Sequence, residues 1–298
     1  MNGTKKTDSV VVRKISERDL EAILLDMDID DEGVPRYMYD SFFNVISENI
    51  PEYALGFSGT NPSVAEIREG VKAIFKAKRD EEDNGAFAQR LFSKGFFGEI
   101  ILHFLLKHLF NTIPLISKIH FKDSRNHEAY GYDAVHVDTD CIYLGEVKFY
   151  GLSKSGKSME KEALDSLLND ISVHFTKEYL ESQFTIINKN LSGTNHPEKD
   201  KWISEICGLT KLSEKFKKVR VPLLCTYESD MVGEDKVVLE SFEETFTTKM
   251  RELKKYFDDK NTYKNKDKLD IVLILFPVES KEKIASGIFS KLLAQQGV

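Results

Sequence analysis

A chain of 298 residues with 41% apolar and 31% charged residues is long enough to bury a core in one or two domains. Its net charge is −7, and no apolar run approaches the roughly 20 residues that span a bilayer. Three widely spaced cysteines, Cys141, Cys207 and Cys225, form no zinc pattern and suit a reducing cytoplasm, and the opening MNGTKKTDSVVVRK lacks the apolar core of a secretory signal.

Residues 10–14, VVVRK, read as a strand, followed by mixed structure through Tyr53 and a helix over 62–79. The charged stretch 78–84 reads as a loop, and a long helix runs from about 86 to 110. Three strand-like segments come next, at 116–122, 130–138 and 141–150. After GLSKSGK a helix begins, with Ser158 as its N-cap and Leu164, Leu167, Leu168, Ile171 and Phe175 at helical spacing. A helical stretch at 201–217, a strand at 221–227, a helix at 240–257, an apolar strand at 270–277 and a helix at 281–293 complete the chain. The fold expected is α/β, a mixed central sheet flanked by helices. Residues 1–80 form an N-terminal α/β region packing on or leading into a main domain of residues 81–298.

The stretch EVKFYGLSKSGKS, residues 146–158, supports two readings. Gly151 to Ser158 spells G-x-x-x-x-G-K-S, a nucleotide-binding loop between a strand and a helix. Against it, the preceding strand carries Glu146 and Lys148, where a buried parallel strand is normally apolar. A nucleotide hydrolase also needs a second strand ending in an acid, and neither VPLLCTYES nor IVLILFPVE supplies one in place. The plainer alternative is a loop beside an active site, with Lys154 and Lys157 available for phosphate contact.

The second reading starts from the hairpin GYDAVHVDTDCIYLGEVKFY. With a two-residue turn at Thr139-Asp140, the register pairs Asp133 with Glu146, and Lys148 shares the face of Glu146. Opposed carboxylates some 5 Å apart repel unless a cation lies between them, and hard oxygen donors suit Mg²⁺ or Mn²⁺. A salt bridge from Lys148 to one carboxylate is the alternative. Glu99 is the only acid in the apolar stretch GFFGEIILHFLLKHLF. It either pairs with Arg90, Lys94 or His103 or reaches the same metal from a helix that Gly95 and Gly98 let approach closely. His136 falls on the opposite face, across from Tyr143, and the other histidines show no ligand spacing.

The order helix with Glu99, strand, strand with Asp133, strand with Glu146-x-Lys148, helix resembles the PD-(D/E)xK nuclease superfamily. More specifically, GYDAVH at 131–136 with LGEVKFY at 144–150 resembles the HamA family, the nuclease subunits of the bacterial Hachiman anti-phage system. The resemblance covers residues 86–230 well. One departure is Tyr132, where the superfamily often has proline. It implies a restriction-endonuclease-like core and a Mg²⁺-dependent deoxyribonuclease held inactive by a helicase partner, HamB, until phage infection disturbs DNA. Asp133 and Glu146 would hold metal, Glu99 would be a further ligand or a water-orienting acid, and Lys148 would stabilise charge. A nuclease this acidic is poorly equipped to capture duplex alone, so a partner that delivers DNA is expected; the basic cluster Lys211, Lys215, Lys217, Lys218 and Arg220 reads either as a solvated helix end or as a hold on DNA already delivered. The rivals are a nucleotide-binding protein using the GKS loop and a nuclease-fold module that cuts nothing.

Overall fold

The structure is a computed structural model that describes residues 10–56, 62–78, 95–117, 131–192, 196–209 and 211–296. The N-terminal part contains β1 (Val11–Ser16), β2 (Leu20–Leu25), a ribbon of β3 (Met27–Ile29) and β4 (Pro35–Tyr37), and helices α1 (Tyr39–Glu48), α2 (Ile50–Leu55) and α3 (Val64–Lys78). Helix α4 (Phe96–Phe110) precedes β5 (Ile113–Pro114), β6 (Ala134–Val137) and β7 (Ile142–Tyr150). Four helices follow, α5 (Glu160–His174), α6 (Lys177–Ser192), α7 (Lys199–Gly208) and α8 (Leu212–Lys218). The chain then runs through β8 (Val219–Glu228), the one-turn α9 (Glu234–Val237), α10 (Phe242–Lys260), β9 (Asp270–Val278) and α11 (Lys281–Gln295).

Seven strands make one mixed sheet in the order β1-β2-β9-β8-β7-β6-β5. Its four central strands are parallel, and an antiparallel hairpin continues it at each end. Parallel strands need covering on both faces, and the side chains divide accordingly. One face carries Val135, Ile142, Leu144, Leu223 and Leu275 against the apolar stripes of α5, α6, α7 and α10. The other carries Ala134, Tyr143, Val147, Phe149, Leu224 and Phe276 against α1, α4 and α11. Helix α4 is apolar all round because it sits inside this second layer, and the close approach comes from Gly98. A Cβ there would lie 3.0 Å from Val147 Cγ2 and 3.3 Å from Phe149 Cβ. Gly95 plays a different part, as the left-handed N-cap of α4 with φ of 70° and open space around it.

Several boundaries differ from the sequence reading, each for a local reason. Of the strand expected at 116–122, Ile116 is in a bend and 118–122 fall among residues 118–130, outside the described set; a short strand lies before it, at Ile113–Pro114. Asn111 ends α4 in the left-handed conformation, so the chain turns at once and Ile113 meets Val137. The helix expected from residue 86 is described from Phe96 onward, and the loop expected at 78–84 falls almost wholly outside the described residues. Ser158 does not cap α5, whose N-cap is Met159; its hydroxyl donates to the Glu228 carbonyl at 2.7 Å. Among the described residues, no helix is long and apolar enough to cross a membrane.

Candidate functional site

The β6–β7 hairpin sets the site. Thr139 and Asp140 form its two-residue turn, which the Asp138 carboxylate fixes by accepting the Asp140 and Cys141 N–H groups at 2.7 Å each. From there the ladder runs Val137–Ile142, His136–Tyr143, Val135–Leu144 and Ala134–Gly145. Asp133 lies one residue beyond β6, so the count places it opposite Glu146. Its N–H donates to the Gly145 carbonyl at 2.8 Å, and its Oδ2 accepts the Val147 N–H at 2.9 Å. Val147 and Phe149 point toward α4, so the alternation sends Glu146 and Lys148 to the α5 face.

Two residues of α5 meet them there. His174 Nδ1 lies 2.6 Å from Glu146 Oε1, and Asp170 Oδ2 lies 2.7 Å from Lys148 Nζ. The His174 ring stacks on Tyr179 with centroids 4.6 Å apart, and the Tyr132 hydroxyl donates to the His174 carbonyl at 2.7 Å. Glu146 is only 3% exposed. Burial, reinforced by the negative charges of Asp133 and Asp170, outweighs the His174 hydrogen bond and pushes its carboxyl up to about 8. Burial works against the Lys148 and His174 cations, but their carboxylate partners prevail and raise both above their usual values.

Glu99 approaches from the opposite layer. It sits in the first turn of α4, half-buried, and its Oε2 accepts the Tyr53 hydroxyl at 2.8 Å. Burial, then Glu99, then the charge of Asp133 hold the Tyr53 hydroxyl well above its ordinary range, and Tyr53 and Asp133 line one small cavity. The structure therefore gathers Asp133, Glu146 and Lys148 with Asp170 and His174, while Glu99 reaches the neighbourhood of Asp133 through Tyr53. Of the partners considered for Glu99, Arg90 and Lys94 are outside the described residues, and His103 turns its Nδ1 to His136.

His136 faces away from the acids, as its register requires. Its Nδ1 is 2.8 Å from Thr112 Oγ1 and its Nε2 is 2.9 Å from His103 Nδ1, all buried. Burial holds both imidazoles neutral, pushing His136 down to about 3.

Lys154 and Lys157 are exposed on the loop after β7. That loop is folded on itself: the Ser153 N–H donates to the Lys157 carbonyl at 2.8 Å, the Gly156 N–H to the Ser153 carbonyl at 2.9 Å, and the Lys157 N–H to Ser153 Oγ at 3.0 Å. A phosphate loop presents such N–H groups to an anion, and these are turned inward. The basic cluster at 211–220 is also not one surface. Lys215 is buried with its Nζ donating to the Leu209 carbonyl at 2.6 Å, and Arg220 lies over the Phe110 and Tyr143 rings.

The sequence reading passed over Asp170 and His174. A signal was there: they fall three and seven residues after Leu167, on the apolar stripe of α5, where polar residues need a reason. No curated protein and no solved structure matches the chain. A family model described as HamA matches residues 5–292. With nearly its whole length matched, the chain belongs to the HamA family of the Hachiman defence system.

Proposed function

We propose that this protein is a Mg²⁺-dependent deoxyribonuclease with a PD-(D/E)xK-type site, the cytoplasmic effector of its defence complex. The observation that carries the reading is the placement of Asp133, Glu146 and Lys148 together at one hairpin, with Glu146 and Lys148 on one face. Asp133 and Glu146 would hold the metal. The donors are hard carboxylate oxygens, and three acids, Asp133, Glu146 and Asp170, crowd one place beside Lys148 and His174. Among the described residues no group of three or more His, Cys, Asp or Glu side chains is set to hold a metal. Two carboxylates are enough for Mg²⁺, which commonly completes its shell with water and substrate phosphate. When bound, the metal lowers the pKa of water and offsets charge on the phosphate.

The chain's own groups do the rest. Lys148 places a cation beside the acids, where it neutralises charge developing at the phosphorus. Glu99, which holds the Tyr53 hydroxyl, is suited to orient water or add a ligand from the α4 side. Exposed Lys154 and Lys157 contribute phosphate contacts that hold DNA without reading its sequence. A net charge of −7 makes capture of duplex by this chain alone weak, which supports a helicase partner, HamB, that brings DNA to the site and restrains it otherwise. The test is plasmid degradation with Mg²⁺ or Mn²⁺ by the chain in its partner complex. Cleavage abolished by Glu146→Ala is the expected result, and cleavage undiminished in that variant would overturn the reading.

A further inference from the structure

Helix α5 carries two polar side chains on a stripe that is otherwise apolar. Residues four apart share a helix face, and Asp170 and His174 are so spaced. Ala163, Leu164, Leu167 and Ile171 are buried on the same face, and Asp170 is buried with them. A carboxylate there costs stability unless a cation meets it, and an apolar residue of similar volume would serve packing as well or better. Neither side chain has a capping role, since the N-cap of α5 is Met159 and its C-cap is Phe175.

Each residue meets one site residue. Asp170 Oδ2 holds Lys148 Nζ at 2.7 Å, and His174 Nδ1 holds Glu146 Oε1 at 2.6 Å. His174 is itself fixed, by the Tyr179 ring stacked on it and by the Tyr132 hydroxyl on its carbonyl. Glu146 is thus gripped by Oε1, and Oε2 has no hydrogen-bond partner among the described residues. One oxygen is anchored and the other is presented. That is the arrangement by which outer groups orient a carboxylate that must bind something else.

We propose that α5 supplies two positioning residues for the site: Asp170 sets the position of Lys148, and His174 turns Glu146 so that its second oxygen faces the reaction centre. The proposal rests on the nuclease reading. It makes α5 part of the catalytic apparatus without either residue touching DNA. It also explains why a helix immediately after the Glu-x-Lys strand carries a buried Asp170 and a half-buried His174 on its inner face.

The two arms are tested on the full-length chain. In the partner complex, Asp170→Asn lowers kcat for plasmid cleavage by about 10–100-fold with KM unchanged, and Asp170→Glu recovers most of the loss. For the bare chain, calorimetric titration with Mn²⁺ shows His174→Ala weakening affinity by about 10–100-fold, whereas His174→Asn, which keeps a donor near the Nδ1 position, stays near wild type. Wild-type kcat in Asp170→Asn while Glu146→Ala is dead overturns the positioning role and leaves the nuclease reading standing. A raised KM with unchanged kcat does the same. Unaltered Mn²⁺ affinity in His174→Ala removes the second arm, and full cleavage by Glu146→Ala removes the proposal together with the reading beneath it. Circular dichroism on each variant separates these outcomes from loss of fold.

Discussion

The pairing of Glu146 with His174 makes stability fall as pH rises through neutrality. In the unfolded chain Glu146 gives up its proton near 4.5 and His174 near 6.5. In the folded chain both values are raised, that of Glu146 to about 8, chiefly by its burial. A raised value in the folded state means stability that is present at low pH and lost as pH climbs past it. Between about pH 6.5 and 8 the folded chain therefore binds more protons here than the unfolded one, by most of a proton on average. At about 1.4 kcal/mol per proton per pH unit, the loss over this window is about 1.5 kcal/mol, or roughly 2 °C in Tm. The measurement is urea unfolding of the full chain in EDTA at pH 6.5 and 8.0, for wild type and Glu146→Gln. Subtracting the variant removes every other titrating group. Parallel pH profiles for the two proteins would show that the pair holds no extra proton, and the reasoning would fail.

Lys148→Ala is expected to lose at least about 10²–10³-fold in cleavage rate, whereas Lys157→Ala retains substantial activity; if Lys157→Ala is the dead variant, the loop is the site after all. His136 works in the opposite direction to Glu146, because its value is held down to about 3. Its contribution is present above 6.5 and lost as pH falls toward 3, costing about 2 kcal/mol by pH 5, so the non-titrating His136→Gln should show a flatter acid limb in denaturant midpoints. Gly287→Ala places a Cβ 2.1 Å from the Phe43 ring, and should cost about 1–3 kcal/mol in urea unfolding despite the better helix propensity of alanine. A neutral result there would mean that α1 does not pack on α11.

The site was legible where chemistry is local. Counting outward from Thr139-Asp140 gave the ladder that the structure shows, because a two-residue turn leaves no freedom in register and Asp138 locks it. The same count put His136 opposite Tyr143 and away from the acids. What could not be read were meetings between distant segments. Tyr53 comes to Glu99 from α2, and Asp170 comes to Lys148 from the next helix; no spacing rule connects them. Helix α6 escaped notice because its buried residues, Leu180, Phe184, Ile187 and Leu191, are diluted by polar neighbours. Residues 1–80 read as a region packing on or leading into the main domain, with one strand at 10–14; that β2 lies beside β9 inside the sheet is a pairing that local periodicity does not record.

That pairing has a consequence for how the chain is made. Leu20, Glu21 and Ala22 lie against Leu273, Ile274 and Leu275, so β2 waits for a strand synthesised far later than itself. Until β9 leaves the ribosome, the β1–β2 hairpin has no sheet to join, while the hairpin bearing Asp133 and Glu146 and helix α5 are already complete. The acids can thus assemble on a nascent chain whose sheet is still open on one side. A chain shortened from its N-terminus past β2 would have the converse defect, a finished hairpin beside a bare β9 edge of Leu273 and Leu275, and its expected fate is strand-to-strand association rather than a smaller folded domain.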